Sequence, residues 1–86
     1  MSRPVSWFVI EPGWTVETSE GKEVGTVHEV LADQDADIFD GLAVSAGLLK
    51  RPRYLPAESV SEISEGRIRL AITADAFEQL GEYDSK

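Results

Sequence analysis

From Gly13 to Asp33 the chain alternates in two extended runs around a polar turn. Val16 and Thr18 alternate with Thr15 and Glu17, then Ser19, Glu20, Gly21 and Lys22 supply turn chemistry before Val24, Val27, Val30 and Leu31 resume an apolar pattern. Two such runs flanking a short polar turn predict a β-hairpin. The return run is irregular. Val24 and Val27 lie three apart, so strict alternation would aim them at opposite faces. A bulge or sharp coil at Gly25, where no Cβ blocks close approach, would turn both inward.

The other apolar segments group around this hairpin. Trp7 to Ile10 is a short apolar patch closed by Glu11-Pro12-Gly13, so residues 1–12 read as an N-terminal arm or an extra strand. Asp33 to Gly41 is an acidic connection in which Gly41 looks like a turn feeding the next strand, where Ile38, Asp40, Leu42 and Val44 share one parity. Ser45-Ala46-Gly47 breaks that strand and Leu48 to Arg51 form a loop. Arg53 to Pro56 is extended, because the residue before a proline is pushed away from helical dihedrals, and Pro56 to Ser59 suits one helical turn. Val60 to Ile63 and Arg67 to Ile72 flank Ser64-Glu65-Gly66, and Ile68, Leu70 and Ile72 alternate with Arg67, Arg69 and Ala71. Thr73 reads as a helix N-cap, with Asp75 in the first turn and Ile72 placed to staple against Phe77. Gly81 stops that helix, leaving 73–81 as a helical segment and 82–86 as a tail.

Length and charge narrow the function classes. A chain of 86 residues makes one domain that buries roughly 60% of its unfolded surface, which leaves little interior for a deep active-site pocket. The absence of cysteine excludes disulfides, zinc thiolate sites and cysteine nucleophiles. No apolar run approaches the roughly 20 residues of a membrane helix and no signal peptide is evident, so no membrane anchor and a cytoplasmic location are expected. A net charge of −8 argues against nucleic acid as a partner and for a basic protein, a cation or simple solubility.

The order of parts carries a resemblance: Gly13-x-x-Val16, the turn glycine Gly21, Val24-Gly25-Thr26-Val27-x-x-Val30, the strand Ile38 to Val44, and Leu55-Pro56-Ala57-Glu58-Ser59-Val60. Over residues 13–72 the chain resembles a PRC-barrel domain, with Gly13, Gly21, Val24, Gly25, Val27, Pro56 and Val60 as its fold-defining positions. The resemblance implies a mainly β fold, a small bent, mostly antiparallel β-barrel of about six strands, here followed by a short C-terminal helix. It also implies little chemistry. Such domains occur in the cytoplasmic H subunit of photosynthetic reaction centres, at the C-terminus of a ribosome-maturation factor, and as short free-standing proteins. The chain resembles the last group, since neither a membrane anchor nor a second domain is expected from its length and apolar runs.

Candidate sites are few. Trp7 and Phe8 lie outside the barrel motif and are the preferred contact residues for a protein partner or a second copy in a homodimer. Lys50, Arg51 and Arg53 around Pro52 form the one basic cluster, able to meet an acidic partner or phosphate, or simply to solvate a hairpin tip. Asp33-x-Asp35-x-Asp37 has alternate hard-oxygen ligands for a divalent cation, but Ile38 and Val44 stand where an EF-hand loop needs glycine and glutamate. A solvated acidic loop accounts for the same spacing. His28 is the sole histidine and has no evident nucleophile or metal co-ligand nearby in sequence, so it reads as a rim residue or a pH-sensitive contact. Of the remaining aromatics, Trp14, Phe39, Tyr54, Phe77 and Tyr83, most are expected in the core of so small a domain. No catalytic constellation and no cofactor motif is present. The expected function is a non-catalytic interaction or assembly module, with weak cation or small-ligand binding at Asp33 to Asp37 as the alternative.

Overall fold

The computed structural model describes residues 7–33, 38–46 and 51–82. They form six strands, β1 (Thr15–Glu17), β2 (Glu23–Asp33), β3 (Ile38–Ser45), β4 (Arg53–Pro56), β5 (Val60–Ser64) and β6 (Arg67–Leu70), and one helix, α1 (Ala74–Glu78). Two 3-10 turns complete them, Trp7–Val9 and Ala57–Ser59. The strands make one sheet in the order β4-β3-β2-β1-β6-β5. Every neighbouring pair is antiparallel except β1 and β6, which run parallel with Val16 beside Ile68. The sheet is therefore mixed but mostly antiparallel, in keeping with the fold the resemblance implied.

Chain connectivity forces the sheet to roll. β4 and β5 are its two outer strands, yet only the 3-10 turn Ala57–Ser59 separates them in sequence. Five gaps between strands in a flat sheet would span about 24 Å, whereas the chain from Pro56 to Val60 reaches at most about 14 Å fully extended and less as a 3-10 turn. The outer strands are thus drawn toward each other without pairing, and the barrel is not closed by hydrogen bonds among the described residues. Ala71 N–H donates to the Ser59 carbonyl (2.8 Å), which extends the β5–β6 pairing one step past Val60 and Leu70.

Register shifts supply the bending. Val16 opposes Gly25 and Glu17 opposes Glu23, so Val24 is an extra residue in β2; Val27 opposes Val44 and Glu29 opposes Ala43, so His28 is another. Asp40 is extra in β3 and Ser61 in β5. The first bulge sits one residue before the expected Gly25 and has the anticipated effect, since Val27 is buried and Val24 packs against the core. The bulge at Asp40 reverses the parity expected for β3. Ile38 turns outward, 51% exposed, and Phe39 turns toward the core instead. Gly41 is accordingly within the strand, not in a turn, and lies so near the β4 backbone that a Cβ there would fall on the Leu55 carbonyl oxygen.

Val16, Val27, Leu42, Val44, Leu55, Ile68, Leu70 and Phe77 fill the interior, with Ile10 covering one end. Strand β3 is buried at four successive positions, Gly41 to Val44. Ala43, between Leu42 and Val44, is fully buried although its neighbours on that face are Glu29 and Tyr54.

Thr18, also fully buried, builds the β1–β2 turn. Its Oγ1 accepts from the N–H groups of Glu20 and Lys22, both at 3.2 Å, while its own N–H donates to the Lys22 carbonyl (2.8 Å). Ser19 N–H then fastens the turn to the Ile72 carbonyl (2.9 Å). A Thr18→Val variant keeps the shape and strands two donors, so it is expected to lose about 2 kcal/mol in chemical denaturation. A loss below about 0.5 kcal/mol would mean that water satisfies those donors.

Candidate functional site

The aromatic end of the barrel is built by three rings. Trp7 stacks on Phe8 with ring centroids 4.1 Å apart and on Phe39 at 5.7 Å, the planes inclined by 20° and 9°. The Trp7–Val9 segment is a 3-10 turn, fixed where Ile10 N–H donates to the Trp7 carbonyl (3.2 Å), and not a strand. Trp7 and Phe39 rest against the core, which leaves the outer side of the stack to water: Phe8 is 56% and Val9 47% exposed. The Asp40 bulge carries Phe39 to this stack, which its parity in the sequence did not indicate.

A second constellation joins β1 to β6. Glu17 projects from the face opposite Val16, and its side chain is only 8% exposed. Arg69 donates to its Oε1 through Nη2 (2.8 Å) and Nε (3.1 Å), and Arg67 Nε lies 3.8 Å from Oε2. Register places Glu23, Glu17, Arg69 and Glu62 in one row across four strands. Both arginines are about half exposed, so the network contributes on the order of 1 kcal/mol and serves mainly to hold the parallel joint. Arg67 and Arg69 announced themselves in the alternation of β6. Their partner could not be read, since Glu17 lies 52 residues from Arg69 in the chain.

A shallow groove of about 210 Å³ opens between α1 and the adjoining ends of β2, β3 and β4. Its floor is apolar, Val24, Ala46, Ala74 and Phe77, and its rim mixes Lys22 and Arg53 with Glu23 and Glu78. That volume falls below the roughly 300 Å³ at which small-molecule sites begin. The alternating rim charges favour neither sign of ligand.

The remaining sequence candidates separate. Arg51 is exposed, whereas Arg53 is drawn into the structure: its Nη1 donates to the Leu80 carbonyl (2.7 Å). Lys50 lies outside the described residues, as do Asp35, Asp37 and Tyr83. Asp33 closes β2 opposite Ile38. Among the described residues no three His, Asp or Glu side chains converge to hold a metal ion. His28 is exposed at its bulge, next to Glu29. Of the described aromatics, Phe77 alone is fully enclosed; Trp14 and Phe39 are half-buried and Tyr54 is exposed, its hydroxyl donating to the Asp40 carbonyl (3.2 Å). Among the described residues no helix is long and apolar enough to cross a membrane.

Comparison with known proteins agrees with this architecture. The family model described as PRC-barrel domain matches residues 13–79, and no curated protein matches the chain.

Proposed function

This chain belongs to the PRC-barrel domain family, and we propose that it is a non-catalytic protein-interaction module whose contact face is the aromatic end formed by Trp7, Phe8, Val9 and Phe39. Fold membership leaves the activity open, so the reading rests on the site. One observation carries it: the Trp7 ring lies between two others, yet the outermost ring and its neighbour Val9 remain about half exposed. Apolar surface held rigidly in a stack loses little side-chain entropy when a partner covers it, which is why aromatic anchors dominate binding energy at interfaces. The small, filled interior supports a role on the outside.

A Phe8→Ser variant tests the proposal, because Phe8 is peripheral to the core and its loss should change stability by no more than about 0.5 kcal/mol. Sedimentation velocity across a concentration series, paired with affinity capture and mass spectrometry, is expected to show self-association or a reproducible protein partner that the variant loses. A parent protein that stays monomeric and retains nothing, or an assembly indifferent to Phe8→Ser, would overturn it.

A further inference from the structure

Strand β4 is an outer strand of the sheet, and the chain after α1 covers it. Tyr54 N–H donates to the Gly81 carbonyl (2.9 Å), Arg53 Nη1 donates to the Leu80 carbonyl (2.7 Å), and Arg53 bridges to Glu82 in antiparallel sense. Backbone direction alternates along a strand, so Tyr54 and Pro56 share the outward side, and Pro56 has no N–H to offer. One main-chain bond therefore joins the cover to β4 among the described residues. Behind it stand Leu80, half-buried against the core, and a helix of five residues with one buried side chain.

Arg53 supplies the second observation. Its half-buried guanidinium is held by a neutral carbonyl and pairs with no carboxylate among the described residues, unlike Arg67 and Arg69, which share Glu17. A carboxylate is the stronger acceptor, since it offers a charge and two oxygens in the plane of the guanidinium fork. Exposed Arg51 lies two residues upstream, so the approach to β4 carries two positive charges in a chain of net −8.

We propose that Leu80 to Glu82 is a displaceable strap, and that an extended acidic segment of another protein takes its place along β4, with a carbonyl on Tyr54 N–H and a carboxylate on Arg53. The Arg53–Glu82 bridge shows that this edge accepts extended backbone. A Cβ at Gly81 would meet open space, so an incoming segment is not confined to glycine there. Displacing the strap also removes Glu82 from opposite Arg53, which leaves the edge more positive than when covered. A basic segment finds no acceptor in Arg53 and is repelled by it, so main-chain bonding gives contact and the arginine gives selectivity. This assignment rests on the reading of the chain as an interaction module, uses residues other than those of the aromatic stack, and makes binding at β4 compete with a segment of the same chain.

The test uses isotopically labelled full chain in about 0.15 M salt, which screens charges more than about 8 Å apart. Two blocked peptides serve as probes, one alternating valine with glutamate and one with lysine for glutamate. The glutamate peptide is expected to move the Leu80, Gly81 and Glu82 resonances to the positions of unstructured chain while the Tyr54 amide stays protected from exchange. The lysine peptide should leave the strap resonances in place. Thr73→Val removes the hydroxyl that caps α1 without touching β4. It should raise the affinity for the glutamate peptide about fivefold, because apparent affinity scales with the fraction of molecules whose strap is open. Arg53→Gln should bring the two peptides within about threefold of each other, a ratio that cancels any change in the strap itself. Failure of the glutamate peptide to bind, binding that leaves Leu80 to Glu82 in place, no gain in Thr73→Val, or a preference that survives Arg53→Gln each overturns the strap. Phe8-dependent association that persists beside any of those results leaves the module reading standing.

Discussion

A Gly25→Ala variant is expected to lose about 3 kcal/mol or more, against a total of roughly 4 to 13 kcal/mol for a domain of this length. The cause is contact. A Cβ on Gly25 would fall on the backbone carbonyl oxygen of Ser45 and press against Val44 Cγ1, and neither end of that contact is a flexible side-chain tip. Relief would require β2 and β3 to separate where Val27 and Val44 close the core, between the bulges at Val24 and His28. Gly41→Ala should behave alike, since its Cβ would meet the Leu55 carbonyl oxygen on the other side of β3. Gly81→Ala is the control. Open space surrounds that position, so the same added methyl should shift stability by less than about 0.5 kcal/mol. Urea denaturation of the three variants checks the contrast. Equal midpoints for Gly25→Ala and Gly81→Ala would show that β2 and β3 can part without cost, and that their close approach does not set the barrel's curvature.

What the sequence made legible was local. The Thr18 to Lys22 turn, the 3-10 turn after Pro56, and the Thr73 cap with Ile72 and Phe77 five positions apart across it were each written within a few residues. The run from Val24 to Val30 pointed to a bend because two valines stood out of phase, and the structure supplies that bend by bulging Val24. Long-range facts were hidden for the same physical reason. The parallel joint of β1 and β6 links residues some fifty apart, and no periodicity encodes which strand lies beside which. Glu17 therefore looked like an ordinary outward residue until Arg67 and Arg69 arrived from β6. Bulges do the rest of the concealment: one extra residue at Asp40 exchanged the faces of Ile38 and Phe39, exposing the first and seating the second under Trp7.

The proposed aromatic contact sits where the bending leaves the sheet incomplete. A sheet rolled by four bulges and a short link between its outer strands cannot keep every strand paired along its length. The shortest, β1, stops at three residues while β2 runs for eleven. The half-exposed aromatic stack belongs to the distal part of the β2–β3 hairpin, where Ala32 pairs with Phe39.

A Phe77→Ala variant should be the most damaging truncation outside the strands, costing about 3 to 5 kcal/mol. Phe77 is the one buried residue of α1, and a helix of five residues has no stability of its own. The Thr73 cap, whose Oγ1 accepts from Ala76 N–H at 3.2 Å, cannot hold it alone. With the ring gone, the chain that follows should leave the edge of β4. Three links would go together: Arg53 Nη1 to the Leu80 carbonyl, Tyr54 N–H to the Gly81 carbonyl, and the Arg53–Glu82 bridge. Amide exchange distinguishes this local release from general loosening. The Tyr54 amide should exchange at least tenfold faster relative to the Val27 amide, whose bond to the Trp14 carbonyl lies in the body of the sheet, than it does in the parent. If both amides accelerate by the same factor, α1 folds and unfolds with the barrel as one unit. If neither changes and the midpoint holds, Phe77 is not what fastens the helix, and the covering of β4 has another origin.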